Sequence, residues 1–456
     1  MPDRRSRLGS RLALAAASLV LIAGLLEGAA RVATAGLVRR VRPGLYASVL
    51  PLVSSGVPRA TEDPGGPPLP AEKDPGEVRV VVLGESSVEG LPWGPRASPA
   101  AMLHDLLAPR LADRRLTVLN LGRAAAQSAD LFYYAAYAAS FDPDVVICFA
   151  GVNDVYRAST ELCAPLEHPR LHAAWRWLAA RSRLLWATRV FAARASAAGP
   201  GEGERDDGPL CDAREGFAAW ADLLIEAGGA SGARVIVSSP VESWLADPDG
   251  QFAQGSAGHE PLGAVATARG PYRAALERLL AEPPDWQGAA AAMPCVDAWC
   301  ARPGQGLDPE RGPAVILERG LTWEQRALAR GVTFVDTAAA LAGLTPGGRL
   351  GPPVIVDRCH LSIEGYLALA TLLASATLAV VDEHAAPIDA PRRLPDARAY
   401  HAPQDADVLT SVARGALERR HLLEAASASA LALQAGSAEA RGLREALRAR
   451  LGAPTP

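Results

Sequence analysis

Apolar residues fall along this chain in two alternating rhythms. Short runs dense in Val, Ile and Leu occupy residues 78–83, 116–121, 145–149, 235–238 and 332–335. Each is of strand length and too short for an independent helix. Between them lie longer stretches with apolar positions at helical spacing, at 100–111, 129–139, 215–227 and 323–329. Strands alternating with helices predict a parallel sheet, and strands with little polar alternation predict that both of its faces are covered. The expected fold is α/β, a three-layer α/β/α sandwich on a central, mostly parallel five-stranded sheet. Ligands of such sheets bind beyond the carboxyl ends of the strands. Ser86, Ala125 and Asn153 each follow one of those ends.

The regions outside this alternation have their own character. Arg4, Arg5, Arg7 and Arg11 precede an uncharged run from Leu12 to Leu26. At 1.5 Å per residue that run spans roughly 22 Å, less than the roughly 30 Å of a bilayer core. Extending it to Val38 supplies the missing length and takes in Glu27 and Arg31. Residues 1–40 are therefore expected to be a signal-anchor helix with the Arg-rich end cytoplasmic. A cleaved signal peptide processed near Ala33-Thr34-Ala35 is the alternative. Either route exports the rest of the chain to a periplasmic or extracytoplasmic space. Residues 54–77, rich in Pro and Gly, read as a linker. Two insertions, at about 160–215 and 245–320, exceed what the sheet requires and stand where lids would border a site. The first is Trp- and Arg-rich, and the second is irregular. Residues 400–456 carry three short helical patterns, at 406–417, 421–434 and 438–451, resembling a tetratricopeptide pair. One such unit cannot bury its apolar face alone. It must pack on the rest of the chain or on a protein partner.

Charge and cysteines narrow the classes. A formal net charge of −4 gives no electrostatic footprint for nucleic acid. Export permits disulfides, and Cys163 with Cys211, and Cys295 with Cys300, are the expected pairs. Cys148 falls in an apolar strand and reads as a buried thiol, while Cys359 has no assigned partner. No Cys/His spacing suggests zinc, and no cofactor is expected.

Four short blocks carry the candidate chemistry. Gly84-Glu85-Ser86-Ser87-Val88-Glu89-Gly90 follows the first apolar strand. Asn120-Leu121-Gly122-Arg123-Ala124-Ala125-Ala126-Gln127-Ser128 follows the second, and Gly151-Val152-Asn153-Asp154 follows the third. Asp357-Arg358-Cys359-His360 then precedes Gly365-Tyr366 at a helix start. A serine at a strand-to-helix turn presents its hydroxyl above a sheet, and an Asp three residues before a His can orient that imidazole as a general base.

In this order the blocks resemble the GDSL-type serine esterases, the SGNH hydrolase superfamily, over roughly residues 78–385. The resemblance implies a flavodoxin-like fold in which Ser86 is the nucleophile and Asp357 and His360 complete a triad. It implies an oxyanion hole built from the N–H groups of Ser86 and Ala125 and the side-chain amide of Asn153. Ala125 stands where the family has glycine. Its N–H serves equally if its backbone stays out of the left-handed region, with Gly122 the alternative contributor. Glu85 replaces the family's Asp and is a longer carboxylate that must bond the turn differently. The implied reaction is ester hydrolysis through an acyl-serine, on O-acyl glycans or small lipid-like esters. An acyltransferase using the same triad, or a non-catalytic envelope binding protein, is the alternative.

Overall fold

The computed structural model describes residue 18 and residues 21–30, 46–48, 73–156, 213–243, 273–292, 313–345, 348–418 and 421–452. Its strands are β1 Tyr46–Ser48, β2 Glu77–Gly84, β3 Arg115–Gly122, β4 Val145–Phe149, β5 Arg234–Ser238 and β6 Thr333–Val335. They form one sheet in the order β1-β3-β2-β4-β5-β6, with every neighbouring pair parallel. Five of these are the expected strands. The sixth, β1, is an edge strand of three residues, too brief to leave a periodic signal, and it adds to the expected central five.

Side chains of β2 alternate between two cores. Val81 and Leu83 join Leu119, Leu121, Val146 and Val237 beneath helices Ser128–Ala138, Ala213–Gly228 and Pro313–Arg330. Val80 and Val82 join Val118, Ile147 and Ile236 beneath helices Pro99–Leu107 and Ile363–Val381. That double burial is why the strands read as unbroken apolar runs. Helix Ile363–Val381 is long and apolar enough to cross a membrane. Its Tyr366, Leu369, Ala370 and Leu373 lie in the second core.

Pairing register levels the ends of the strands. Gly84 pairs with both Gly122 and Phe149, Phe149 with Ser238, and Ser238 with Val335. The segments after β2, β3 and β4 therefore leave the same edge of the sheet side by side. The chain passes from β2 outward to β3, then returns across β2 to β4. This places the topological switch between β2 and β4, where such sheets bind ligands.

Three expectations about boundaries change. The presumed linker ends earlier than residue 77, because Glu77 opens β2 and Lys73 Nζ donates to Asp144 Oδ1 at 2.6 Å. The second insertion is not wholly irregular: it contains helical residues 273–279 and helix Trp286–Ala292. Helix Pro313–Arg330 begins ten residues before the expected start at 323. Most of the first insertion, Cys163, Cys211, Cys295 and Cys300 lie outside the described residues. Cys148 is a buried free thiol and Cys359 a half-buried one. Near the N-terminus the described helix is Leu21–Ala30.

The C-terminal helices are Asp405–Glu418, Leu422–Gln434 and Ala438–Gly452, close to the expected spans. They pack on their own chain. Ala416, Leu423, Ala426 and Leu447 share a core with Leu276, Leu279 and Ala289 of the second insertion. Arg444 is buried there, and its Nη2 donates to the carbonyls of Leu279 and Ala281 at 3.0 Å each. It thus satisfies carbonyls left open at the end of a helix. Arg96 Nη2 donates to the buried Asp405 Oδ1 at 2.7 Å, tying the same unit to the segment before helix Pro99–Leu107.

Candidate active site

The nucleophile turn is built by close approach. Helix Ser86–Glu89 starts directly after β2, with Glu85 in extended conformation at its N-cap. A Cβ on Gly84 would meet Val88 Cγ2 at 2.3 Å and the Phe149 carbonyl at 2.4 Å, and one on Gly122 would meet Glu89 N at 2.2 Å. Only glycine lets the short helix sit this tightly on the strand ends. Asn120, buried at the end of β3, donates from Nδ2 to Val88 O at 2.7 Å and accepts from Gly122 N at 2.8 Å. Gly122 thus contributes room, while its N–H is already engaged.

Asp357 and His360 stand at the tip of a hairpin. Ile355 and Leu361 form an antiparallel bridge, and Val356 N donates to His360 O at 2.9 Å. Asp357 Oδ1 accepts from the backbone N–H groups of Cys359 and His360 at 2.9 and 2.8 Å. Its Oδ2 lies 2.6 Å from His360 Nδ1, and His360 Nε2 lies 2.8 Å from Ser86 Oγ. A carboxylate only accepts, so the imidazole proton belongs on Nδ1 and Nε2 is left to accept from the serine hydroxyl. The structure brings together all three residues of the expected triad.

Charge in this pair follows from the geometry. Burial alone would depress the His360 pKa, but the Asp357 charge and hydrogen bond outweigh it and the net shift is upward. Burial likewise pushes Asp357 up, yet the facing imidazolium and the hydrogen bonds leave it below its ordinary value. Each partner thus favours the charged form of the other.

Neighbouring residues fix the hairpin. Ser87 Oγ donates to Cys359 O at 3.2 Å, Trp93 Nε1 to Leu361 O at 2.8 Å and Ser243 N to Arg358 O at 2.7 Å. Arg358 Nε donates to the buried Glu242 Oε1 at 2.8 Å. Ser362 caps helix Ile363–Val381 by accepting from Gly365 N at 3.0 Å. None of these supports except the Gly365 helix start carries a sequence signal that singles it out. They are contacts between segments about 115 to 270 residues apart, or an ordinary serine beside a better one.

The oxyanion candidates also meet at this edge, with one departure. The N–H groups of Ser86 and Ala125 donate to no group among the described residues. Asn153 is half-buried and gives one amide hydrogen to Ala126 O at 2.8 Å, and its second amide hydrogen meets no acceptor among the described residues. Ala125 has φ of 61°, in the left-handed region. The expected backbone of this alanine is therefore corrected: the turn between β3 and helix Ser128–Ala138 takes a conformation that favours glycine, which strains the alanine but leaves its N–H as a donor. Its N–H points as that backbone dictates.

Three carboxylates stitch the loops together. Glu85 is buried, accepting from Gly151 N at 2.9 Å and Asn153 N at 3.1 Å. Asp154, also buried, accepts from Ser128 N at 3.1 Å and Ser128 Oγ at 2.6 Å. Glu89 Oε2 accepts from Ala124 N. Burial first, and then the Asp154 charge, push the Glu85 pKa up to about 8, against the pull of its backbone donors. Burial raises Asp154 as well.

Among the described residues, Asp357, Cys359 and His360 form a group with metal-ligating atoms within 4.8 Å of one another. The carboxylate and imidazole are committed to each other, to Ser86 and to the loop amides. Of the other histidines described, His104 and His384 pair with exposed acids, and His401 pairs with Glu364 and with the buried Asp405. His421 differs. It pairs with Glu424 at 3.2 Å, and the Glu424 charge raises the His360 pKa.

Comparison with known proteins points the same way. Residues 82–260 match the GDSL-like lipase/acylhydrolase family, a span that holds Ser86, Ala125 and Asn153 but ends before Asp357 and His360. Similar solved structures include a lipase/acylhydrolase from Enterococcus faecalis, at 16% identity over 65% of this chain and 93% of that one, TM-score 0.34. Another is a variant acetyl xylan esterase from Geobacillus stearothermophilus, at 15% identity over 67% and 94%, TM-score 0.33. No curated protein matches. With its strand-turn-helix serine inside the matched span, this chain carries over residues 82–260 a domain similar to the GDSL-like lipase/acylhydrolase family, a family of ester hydrolases.

Proposed function

We propose that the protein is an exported serine ester hydrolase acting through an acyl-serine on O-acyl, chiefly acetyl, esters of glycans or on small lipid-like esters. The observation that carries this reading is the hydrogen-bonded series from Ser86 Oγ through His360 to Asp357, at 2.8 and 2.6 Å. As Ser86 Oγ attacks the ester carbonyl carbon, its proton passes to His360 Nε2. The carbonyl oxygen becomes an oxyanion facing the N–H groups of Ser86 and Ala125 and the remaining amide hydrogen of Asn153. Collapse breaks the carbon–oxygen bond to the alcohol, which leaves with the proton from Nε2. Water then attacks the acyl-serine, giving a proton to Nε2. Ser86 recovers its proton from Nε2 as the acid departs.

Export rests on the Arg-rich start, the apolar run behind it and helix Leu21–Ala30. The positive-inside bias then sets the domain outside the cytoplasm. Acetylated glycans suit that compartment, and the acetyl xylan esterases among the similar structures are named for such substrates. The test is hydrolysis by the full chain, purified in detergent, of acetylated xylo-oligosaccharides and of p-nitrophenyl esters of increasing acyl length. Activity highest on acetyl esters is expected. An enzyme inert towards every ester, or active only on long acyl chains, contradicts the reading. An alkaline phosphatase fusion after residue 75 is expected to be active, and an inactive fusion overturns export.

A further inference from the structure

Glu85 precedes the nucleophile by one residue, yet its side chain turns away from the reacting atoms and into the protein. Its two oxygens take the N–H groups of Gly151 and Asn153 across the boundary between β2 and β4. Gly84 pairs with Phe149 in that register, so the loop that follows Phe149 lies directly across from Glu85. The chain of contacts continues. Asn153 donates from its amide to Ala126 O, and Asp154 holds Ser128 by its N–H and hydroxyl. One acid therefore registers the Asn153 loop on the Ser86 turn, and the next registers the Ala125 segment on the Asn153 loop.

We propose that Glu85 is a positioning residue for the oxyanion hole, fixing the Asn153 and Ala125 donors relative to Ser86 through the Gly151 and Asn153 amides. The inference rests on the serine-esterase reading above. The Gly151 and Asn153 N–H groups need acceptors in this buried setting, yet burial shifts the ionisation of the acid that supplies them far from the ordinary carboxylate range. What the acid adds is direction: two acceptors on one rigid carboxyl group, set at the spacing of two amides on one loop. Oxyanion donors lose their effect when displaced by a fraction of an ångström to an ångström.

The experiment compares wild type, Glu85→Gln and Glu85→Asp in the full chain. Glutamine keeps one acceptor and sets an NH₂ group against the second amide. The expected result with p-nitrophenyl acetate is a fall in kcat of roughly 10- to 100-fold in Glu85→Gln, with KM changed less than about twofold. Glu85→Asp keeps the carboxyl group with a shorter reach and is expected to recover part of the loss. Amide exchange at Gly151 and Asn153 is expected to be slow in wild type and faster in Glu85→Gln. A Glu85→Gln enzyme with lowered melting temperature but wild-type kcat overturns the proposal and leaves the esterase reading intact. Rapid wild-type exchange at Gly151 and Asn153 overturns it even if neither variant folds. A wild type inert towards esters overturns the esterase reading itself, and this inference with it.

Discussion

At residue scale the unusual position is Ala125. A non-glycine residue at φ of 61° carries a strain of roughly 1–2 kcal/mol, partly offset because alanine restricts the unfolded chain more than glycine does. Ala125→Gly is therefore expected to stabilise the protein by about 0.5–1 kcal/mol while keeping the N–H, with kcat equal to or above wild type. Denaturant melts and ester kinetics check both. Glu85 makes a second prediction at this scale. Its folded pKa of about 8 stands above the ordinary carboxyl value of 4.5, so between those pH values the folded state holds a proton that the unfolded state lacks. Its contribution to stability is fully present below about pH 4.5 and is lost as pH rises through about 8. Melting temperature is expected to fall over that window, and the fall is expected to shrink in Glu85→Gln. A profile identical in the two proteins refutes the assignment.

At element scale the site depends on a four-residue helix pressed on three level strand ends. Gly122→Ala would place a Cβ 2.2 Å from Glu89 N, so the helix carrying Ser86 must move. The expected cost is about 1–3 kcal/mol of stability, together with a fall in kcat, because Ser86 leaves its 2.8 Å contact with His360. A fully active Gly122→Ala enzyme would show that the close packing is dispensable. The same elements explain what the sequence made legible. Strands Val145–Phe149 and Arg234–Ser238 are buried on both faces and announce themselves as apolar runs. The Asp357 and His360 pair lies within one hairpin, so spacing alone reveals it. β1 is too short to show a period, and helix Pro313–Arg330 starts under a Gly- and Pro-rich approach that reads as loop. The Ala125 conformation was hidden because an alanine codon gives no sign of positive φ. The roles of Glu85, Asp154 and Trp93 were hidden because their partners are distant in sequence.

At the scale of the whole molecule the C-terminal helices reach back to the site. Glu424, in the first turn of helix Leu422–Gln434, is buried, and behind burial and the Asp357 charge and hydrogen bond its own charge adds a smaller upward push on the His360 pKa. Removing that charge withdraws support from the imidazolium. In Glu424→Gln the acid limb of kcat/KM is therefore expected to move to lower pH, since neutral His360 persists further into the acid range. An unmoved limb would separate the C-terminal unit from the chemistry. The central claim is that Ser86, activated by His360 and Asp357, forms a covalent acyl-enzyme. The most direct measurement is intact mass after exposure of the full chain to a fluorophosphonate, followed by peptide mapping. The account predicts one adduct, on Ser86, absent from Ser86→Ala and His360→Ala but retained by Ser87→Ala. An adduct on Ser87, or one that persists in Ser86→Ala, would contradict it.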